Sequence, residues 1–328
     1  MAHATPPVFL VADIGGTNTR VALSDGENVL SGTIRRYRNA EHPGLEVVLK
    51  QYLAAEGDIV PRAACIAVAG PVRDGKGHLT NLDWDMDEAG LAKSIGAGHV
   101  AMLNDLQAQG YALDHVSDAD MMLVRQGSDG PDGAPRLVVN LGTGFNASPV
   151  FVAPSGPFVA TSESGHATMP VRTEQDMRLC GFVARQHGFA AIDDILSGRG
   201  LAHIYAFLSH EAGKNDTLTS AAIMEGCASR ADPLAVETVA YFTRLTAMVM
   251  GNLALVQLPF GGIYMVGGLS SAIAPYMAEF GFDTAFRDKG RFADFMDDFS
   301  IYVLQDDYAA LKGTAAYLHG LVAQQEQA

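Results

Sequence analysis

Two apolar runs in this chain each end in a polar glycine turn, and the pairing restricts the fold more than any other feature. Run 8–12 leads into Asp13-Ile14-Gly15-Gly16-Thr17-Asn18-Thr19-Arg20, and run 137–141 leads into Gly142-Thr143-Gly144. Glycine lets a backbone approach a ligand without a Cβ in the way, so such turns aim N–H groups and threonine hydroxyls at phosphate oxygens. Two of them predict a clamp on a polyphosphate. A carboxylate beside phosphates is repelled unless a hard cation such as Mg2+ lies between them, which makes Asp13 the candidate metal contact. The competing account, a plain hairpin turn at Gly15-Gly16, leaves the crowding of Asp, Thr, Asn and Arg in one turn unexplained. The segment lacks the G-K-[ST] ending of a Walker A loop and does not match the G-x-G-x-x-G of the dinucleotide folds.

The chain has 328 residues, 48% of them hydrophobic, enough for one large domain or two ordinary ones. Its 22 Lys+Arg against 37 Asp+Glu give a net charge of −15, which opposes nucleic-acid or anionic-membrane binding. Cys65, Cys180 and Cys227 lie far apart, so neither a thiolate zinc site nor a disulfide framework is signalled, and a reducing compartment fits. No signal-peptide core or run of about 20 apolar residues is evident, and the expected location is the cytoplasm.

Apolar runs 8–12, 21–24 and 29–34 read as a strand meander, with Asp25-Gly26 as a turn. Leu45, Val48, Leu49, Tyr52 and Leu53 share one helical face after Pro43. Strands are predicted at 64–69, 100–103 and 137–141, then at Ile263–Val266 and Ile301–Leu304. A long core helix is expected from Asp232-Pro233 and a last helix from about Tyr308. This order implies sheets covered by helices, in two related lobes.

Asn104-Asp105 follows a predicted strand and so belongs at its carboxyl end, where open α/β sheets place ligands. Asp105 is the candidate base for a hydroxyl attacking phosphorus, with Asn104 holding a second hydroxyl; a turn or helix cap is the simpler reading of the same pair. Glu163-Ser164-Gly165-His166 reads either as a solvated loop with a capping Glu or as a carboxylate and an imidazole placed where both can reach one polar ligand such as a sugar. Gly267-Gly268 after Ile263–Val266 reads either as a strand-to-helix turn or as a close backbone approach to a nucleoside. Trp84 reads as packing.

These residues resemble the glucokinase family of bacterial hexose kinases, in the actin-like ATPase and sugar kinase superfamily. The resemblance runs through Asp13 to Arg20, Cys65 to Val72, Asn81 to Trp84, Asn104-Asp105, Gly142 to Gly144 and Glu163 to His166. It continues through Leu196-Ser197-Gly198-x-Gly200-Leu201, Gly251 to Leu255, Gly261 to Gly268, and Phe286 to Phe292 with its Asp288-Lys289-Gly290-Arg291 core. It implies an α/β, two-domain fold with ribonuclease H-like lobes and an active site in the interdomain cleft. The small domain would be 1–105 plus 308–328, and the large domain 106–307.

It further implies ATP-dependent phosphorylation of glucose to glucose 6-phosphate, with Asp105 as general base on the 6-hydroxyl. Asn104, Glu163, His166 and Asp193 would contact the sugar. Gly15, Gly16, Thr17, Asn18, Gly142 and Thr143 would clamp phosphates, Gly267 and Gly268 would lie by the adenosine, and Asp13 would act on Mg2+ through water. Relatives are often dimers, so a homodimer is an open expectation. Two positions depart from the family pattern: Asp193 stands where the family usually has a sugar-contacting Glu, and Asn146 where it commonly has Gly. Asn tolerates a left-handed backbone, so the turn is expected to survive. The rival readings are a kinase for another hexose or amino sugar, and a catalytically weak sugar-sensing regulator.

Overall fold

The computed structural model describes residues 8–79, 82–154 and 156–327; Asn81 lies outside them. The chain divides into two units, one of 1–118, 153–161 and 306–328, the other of 119–152 and 162–305.

In unit 1, strands β1 (Phe9–Ile14) and β2 (Asn18–Ser24) form an antiparallel hairpin, extended by β3 (Arg35–Arg38). Helix α1 (Leu45–Ala55) buries the apolar face read from its sequence. Strand β4 (Ala63–Val68) follows, then a small antiparallel sheet of β5 (Val72–Arg73), β6 (Lys76–Leu79) and β7 (Trp84–Asp87). Helix α2 (Glu88–Ile95), strand β8 (His99–Asn104) and helix α3 (Asp105–Ala112) complete this stretch. The main sheet has the order β3-β2-β1-β4-β8, with β1, β4 and β8 parallel. Trp84 is buried in the core of unit 1, as its packing role requires. Cys65 is buried on β4, and that burial pushes its thiol pKa up, so it behaves as an inert core residue.

The third strand differs from expectation. Residues Ser31–Thr33 form a 3-10 turn, and the strand lies further on, at Arg35–Arg38. Three arginines give β3 a charged, largely exposed edge that hides it from a hydrophobic pattern. Val29 and Ile34, which suggested the strand, pack instead against Val11, Ala22, Leu311 and Ala315.

Unit 2 holds β9 (Met121–Arg125), β10 (Arg136–Leu141) and β11 (Phe145–Ala153), with β12 (Gly156–Val159) assigned to unit 1. Helices α4 (Glu174–His187), α5 (Gly198–Glu211), α6 (Ser220–Ser229) and α7 (Pro233–Gln257) lead to β13 (Ile263–Val266), α8 (Gly268–Met277), α9 (Phe282–Arg287) and β14 (Ile301–Leu304). The unit 2 strands run β11-β10-β13-β14-β9. A hairpin followed by two parallel strands thus occurs in both units, β2-β1-β4-β8 in one and β11-β10-β13-β14 in the other.

Asp232 caps α7 and Pro233 opens it, as read from the sequence. Against the expectation of no membrane-length segment, α7 spans 25 residues and is apolar enough to cross a bilayer by length and composition. Most of that apolar window is buried within the protein, however. Tyr241 and Arg244 of α7 also bond the buried carboxylate of Asp176. It is a core helix of unit 2.

The chain returns to unit 1 as α10 (Ala309–Gln327). Unit 1 runs on past residue 105 because α3 packs along α10. A Cβ on Gly313 would lie 1.7 Å from the carbonyl oxygen of Ala108. That contact seats the helix whose first residue is Asp105. Gly313→Ala is therefore expected to destabilise the protein by about 1–3 kcal/mol. Gly320→Ala, with open space around the added methyl, should be neutral or stabilising by up to ~1 kcal/mol. Denaturant midpoints of the two variants check this; equal midpoints would show that the close helix contact does not exist.

Candidate active site

In unit 1 the hairpin register pairs Asp13 with Arg20 and Ile14 with Thr19, leaving Gly15-Gly16-Thr17 as the connecting loop and Asn18 as the first residue of β2. Gly16 and Thr17 are exposed. The loop is closed by the Gly15 N–H donating to the Asn18 carbonyl at 2.9 Å. It is braced from below by Asn39, a fully buried side chain. Asn39 donates Nδ2 to the Gly15 carbonyl at 2.8 Å and accepts from Thr19 Oγ1 at 2.8 Å, while its backbone N–H donates to the Thr17 carbonyl at 3.0 Å. Sequence reasoning missed Asn39, because nothing local to it announces a partner more than twenty residues earlier.

Asp13 Oδ2 accepts from Arg20 Nη1 at 3.1 Å. Burial pushes the Asp13 carboxyl above the usual carboxylate range, and the charge and hydrogen bond of Arg20 pull it only part of the way back. A further cation would complete that compensation. Among the described residues there is no cluster of three or more His, Cys, Asp or Glu side chains able to cage a metal. A magnesium ion held by one carboxylate together with substrate phosphates needs no such cluster, so Asp13 fits it.

Asn104 ends β8 and Asp105 begins α3. The parallel register sets Ile14 beside Val68 and Val68 beside Asn104. The glycine loop and Asp105 thus leave the same carboxyl edge of one sheet, two strand spacings or ~10 Å apart. Both readings of Asn104 meet here, because it caps α3 as well as ending the strand. Its Oδ1 accepts from Leu106 N at 2.9 Å, its Nδ2 donates to the Gly70 carbonyl at 3.1 Å, and Gln107 completes the capping box. Asp105 is half-buried, with Oδ1 accepting from Leu106 N at 2.8 Å.

Unit 2 builds a second set at the carboxyl ends of β10 and β13. Asn140 pairs with Asn146 and Leu141 with Phe145, so Gly142-Thr143-Gly144 is the hairpin loop. Gly267, at a positive φ of 95° that favours glycine, leads into α8, whose first turn has no side-chain cap. A Cβ there would lie 2.4 Å from the Leu141 carbonyl oxygen, so glycine lets the open helix N-terminus, an anion-binding device, approach the hairpin. Gly268 is the first residue of that helix.

Glu163 precedes a 3-10 turn of Ser164–His166, and its carboxylate lies 4.0 Å from His166 Nε2. Both side chains are exposed. The turn is fastened to the hairpin: a Cβ on Gly165 would lie 2.0 Å from the Phe145 carbonyl oxygen, and Asp193 N–H donates to the Gly165 carbonyl at 2.9 Å. The Asp193 carboxylate accepts from Phe145 N–H at 2.6 Å and from Arg199 Nη2 at 2.7 Å. Gly198 N–H donates to the Gly142 carbonyl at 2.9 Å. Glu163, His166, Asp193 and the glycine hairpin therefore form one connected set within unit 2.

Asn146 adopts no left-handed conformation; it lies within β11. The backbone tolerance expected of it is not what the position uses. Its side chain bonds the segment on either side of Glu163.

Comparison with known proteins gives the site its context. The glucokinase family model matches residues 10–321. A glucokinase of Cupriavidus pinatubonensis is 32% identical over 315 residues, covering 94% of this chain and 91% of that protein. The crystal structure of a glucokinase from an Antarctic psychrotroph superposes with a TM-score of 0.84 at 26% identity, covering 95% of this chain and 98% of that one. A ROK family glucokinase from Streptomyces griseus, solved in complex with glucose and AMPPNP, shares the fold at a TM-score of 0.63 and 20% identity over 94% of this chain and 98% of that one. The fold is that of the two-lobe actin-like sugar kinases. With a family model spanning nearly its whole length and a relative at 32% identity, the chain belongs to the glucokinase family.

Proposed function

We propose that this hexose kinase transfers the γ-phosphoryl group of ATP to the 6-hydroxyl of glucose, giving glucose 6-phosphate and ADP. The observation that carries the reading is that one phosphate-type turn and a half-buried carboxylate leave the same edge of the main sheet in unit 1, while unit 2 joins a second such turn to a Glu-His pair. Asp105 accepts the proton of the 6-hydroxyl as that oxygen attacks the γ-phosphorus. The bond from the γ-phosphorus to the β,γ-bridging oxygen breaks, and ADP leaves. No phosphoenzyme forms, because the protein's work is alignment and charge neutralisation.

Glu163 and His166 hold the sugar's other hydroxyls in this reading, with Asn104 beside the base. Gly15, Gly16, Thr17, Asn18, Gly142 and Thr143 hold phosphate oxygens, and the α8 N-terminus at Gly267 and Gly268 faces the nucleoside end. Asp13 would hold Mg2+ through water; when bound, the ion neutralises charge on the phosphates. A reducing cytoplasm suits the three free cysteines, and a homodimer is testable by light scattering. The second reading, a kinase for another hexose or amino sugar, is favoured by Asp193, whose two carboxylate oxygens are already bonded within the protein.

The test is ADP release with Mg-ATP over glucose, mannose, fructose, glucosamine and N-acetylglucosamine. Glucose should give the highest kcat/KM. Another sugar in front moves the assignment to the second reading, and turnover of none removes the kinase assignment altogether.

Asp105→Asn keeps an acceptor for Leu106 N–H and should fold, yet it should lose ~10²–10⁴-fold in kcat while nucleotide still binds. Undiminished turnover would strike Asp105 from the mechanism.

Asp13→Asn separates function from stability. The folded carboxyl has a pKa above its unfolded value, so the native state holds the extra proton between that raised value and the ordinary ~3.9. Stability then falls as pH rises through this window, and above it the ionised group opposes folding. The variant should bind Mg-ATP roughly 10–100-fold more weakly while its melting temperature at pH 7 equals or exceeds that of the parent. Its advantage should shrink as pH is lowered; a lower melting temperature at pH 7 would contradict the assignment.

A further inference from the structure

Asn146 occupies a place where the family resemblance puts glycine, and it makes four hydrogen bonds that glycine lacks. Nδ2 donates to the Ser162 carbonyl at 2.5 Å. Oδ1 accepts from Ser164 N–H at 3.0 Å, from Ser164 Oγ at 3.1 Å and from Ala147 N–H at 2.9 Å. The residue is half-buried on β11, directly opposite Asn140 and one step beyond the strand pair that closes the Gly142-Thr143-Gly144 hairpin. It therefore grips the peptide groups immediately before and after Glu163 from a rigid strand.

Glu163 depends on such a grip. Its side chain is exposed, and its backbone, at φ −126° and ψ 45°, is neither helical nor extended, so no regular element fixes its direction. The 3-10 turn after it is one residue set, Ser164–His166, too short to hold itself. Its far side is anchored by Gly165 through the Asp193 N–H. Its near side is anchored by Asn146. Misplacement of a ligand-binding carboxylate by even 1 Å weakens a hydroxyl contact sharply, because hydrogen bonds lose strength steeply away from their preferred geometry.

We infer that Asn146 is a positioning residue for sugar binding in this chain: it fixes Glu163 by clamping residues 162 and 164 to the hairpin of the second phosphate turn. The inference rests on the assignment of Glu163 to the sugar made above. Asn146 has both polar atoms of its side chain bonded within the protein. It replaces the freedom of a glycine with a bonded brace, and it acts only through the carboxylate between its two anchor points.

The experiment is a double-mutant cycle of Asn146→Ala and Glu163→Gln, with Asn146→Gly as the second variant, each assayed for the KM of the sugar, the KM of ATP and kcat. Asn146→Ala is expected to raise the KM for glucose about tenfold, ~1.4 kcal/mol, with kcat and the KM for ATP held within about twofold. In the Glu163→Gln background the same change should add less than about twofold, because its effect passes through Glu163. Asn146→Gly, which places the family residue on an unstrained strand, should show the same pattern, and it carries the test where the alanine variant fails to fold.

Equal penalties in both backgrounds would overturn the inference, as would a fall in kcat or a rise in the KM for ATP with the sugar KM unchanged. If the sugar panel puts another sugar first, the cycle is run with that sugar. A parent enzyme that turns over no sugar refutes the functional reading, whereas additive penalties in an active enzyme refute only the role of Asn146.

Discussion

A side chain at Gly165 would place its Cβ 2.0 Å from the Phe145 carbonyl oxygen, and one at Gly267 would place it 2.4 Å from that of Leu141. These distances leave no room for any other residue, and the unit 2 site depends on them. Backbone meets backbone at both ends of the short hairpin 142–144, so the turn carrying Glu163 and the start of α8 are held against the same loop. Side chains then add specific bonds to an arrangement fixed by the absence of others: Asp193 to Phe145 N–H, Asn146 to residues 162 and 164. Close approach supplies the rigidity that a site made largely of loops would otherwise lack.

Unit 1 solves the same problem with a buried polar brace. Asn39 has no exposure, and it satisfies the Gly15 carbonyl, the Thr19 hydroxyl and the Thr17 carbonyl together. A buried amide bonded at both its oxygen and its nitrogen holds a loop in one conformation, since each bond it lost would leave a desolvated polar group behind. The edge of that loop at Gly16 and Thr17 is exposed, and the proposed reading gives it to the nucleotide phosphates. Beside it Asp13 is held in an environment that penalises its charge, with Arg20 offsetting only part of the penalty. In the proposed reading, a magnesium ion arriving with the nucleotide would be stabilised there more than at a solvated carboxylate, because water competes less.

Much of this was legible in the sequence, and the parts that were not share a physical cause. Ile263–Val266 and Ile301–Leu304 were readable because parallel strands covered on both faces leave continuous apolar runs bounded by turns. Asp232-Pro233 announced α7 through local capping chemistry. β3 was not readable at 35–38, because an edge strand of Arg-Arg-Tyr-Arg carries no hydrophobic signal. Asn39 and the role of Asn146 were invisible for another reason: each is defined by partners distant in sequence, and an asparagine in a single chain does not say what it bonds. The extent of unit 1 beyond Asp105 depended on Gly313 meeting Ala108, a contact between segments about two hundred residues apart.

The two departures from the family pattern have related structural consequences. Asp193 is one methylene shorter than Glu, and its carboxylate is drawn onto Phe145 N–H and Arg199 instead of standing open. Asn146 bonds the neighbouring segment, one residue along the same strand. Both substitutions turn groups inward and spend them on holding the hairpin and the Glu163 turn together. Under the proposed assignment of Glu163 and His166 to the sugar, committing Asp193 to the scaffold leaves more of the recognition to that pair, and a carboxylate bearing more of the recognition has to be held more firmly. The extra bonds of Asn146 fall on the two residues that flank that carboxylate, which is where such a requirement would be met.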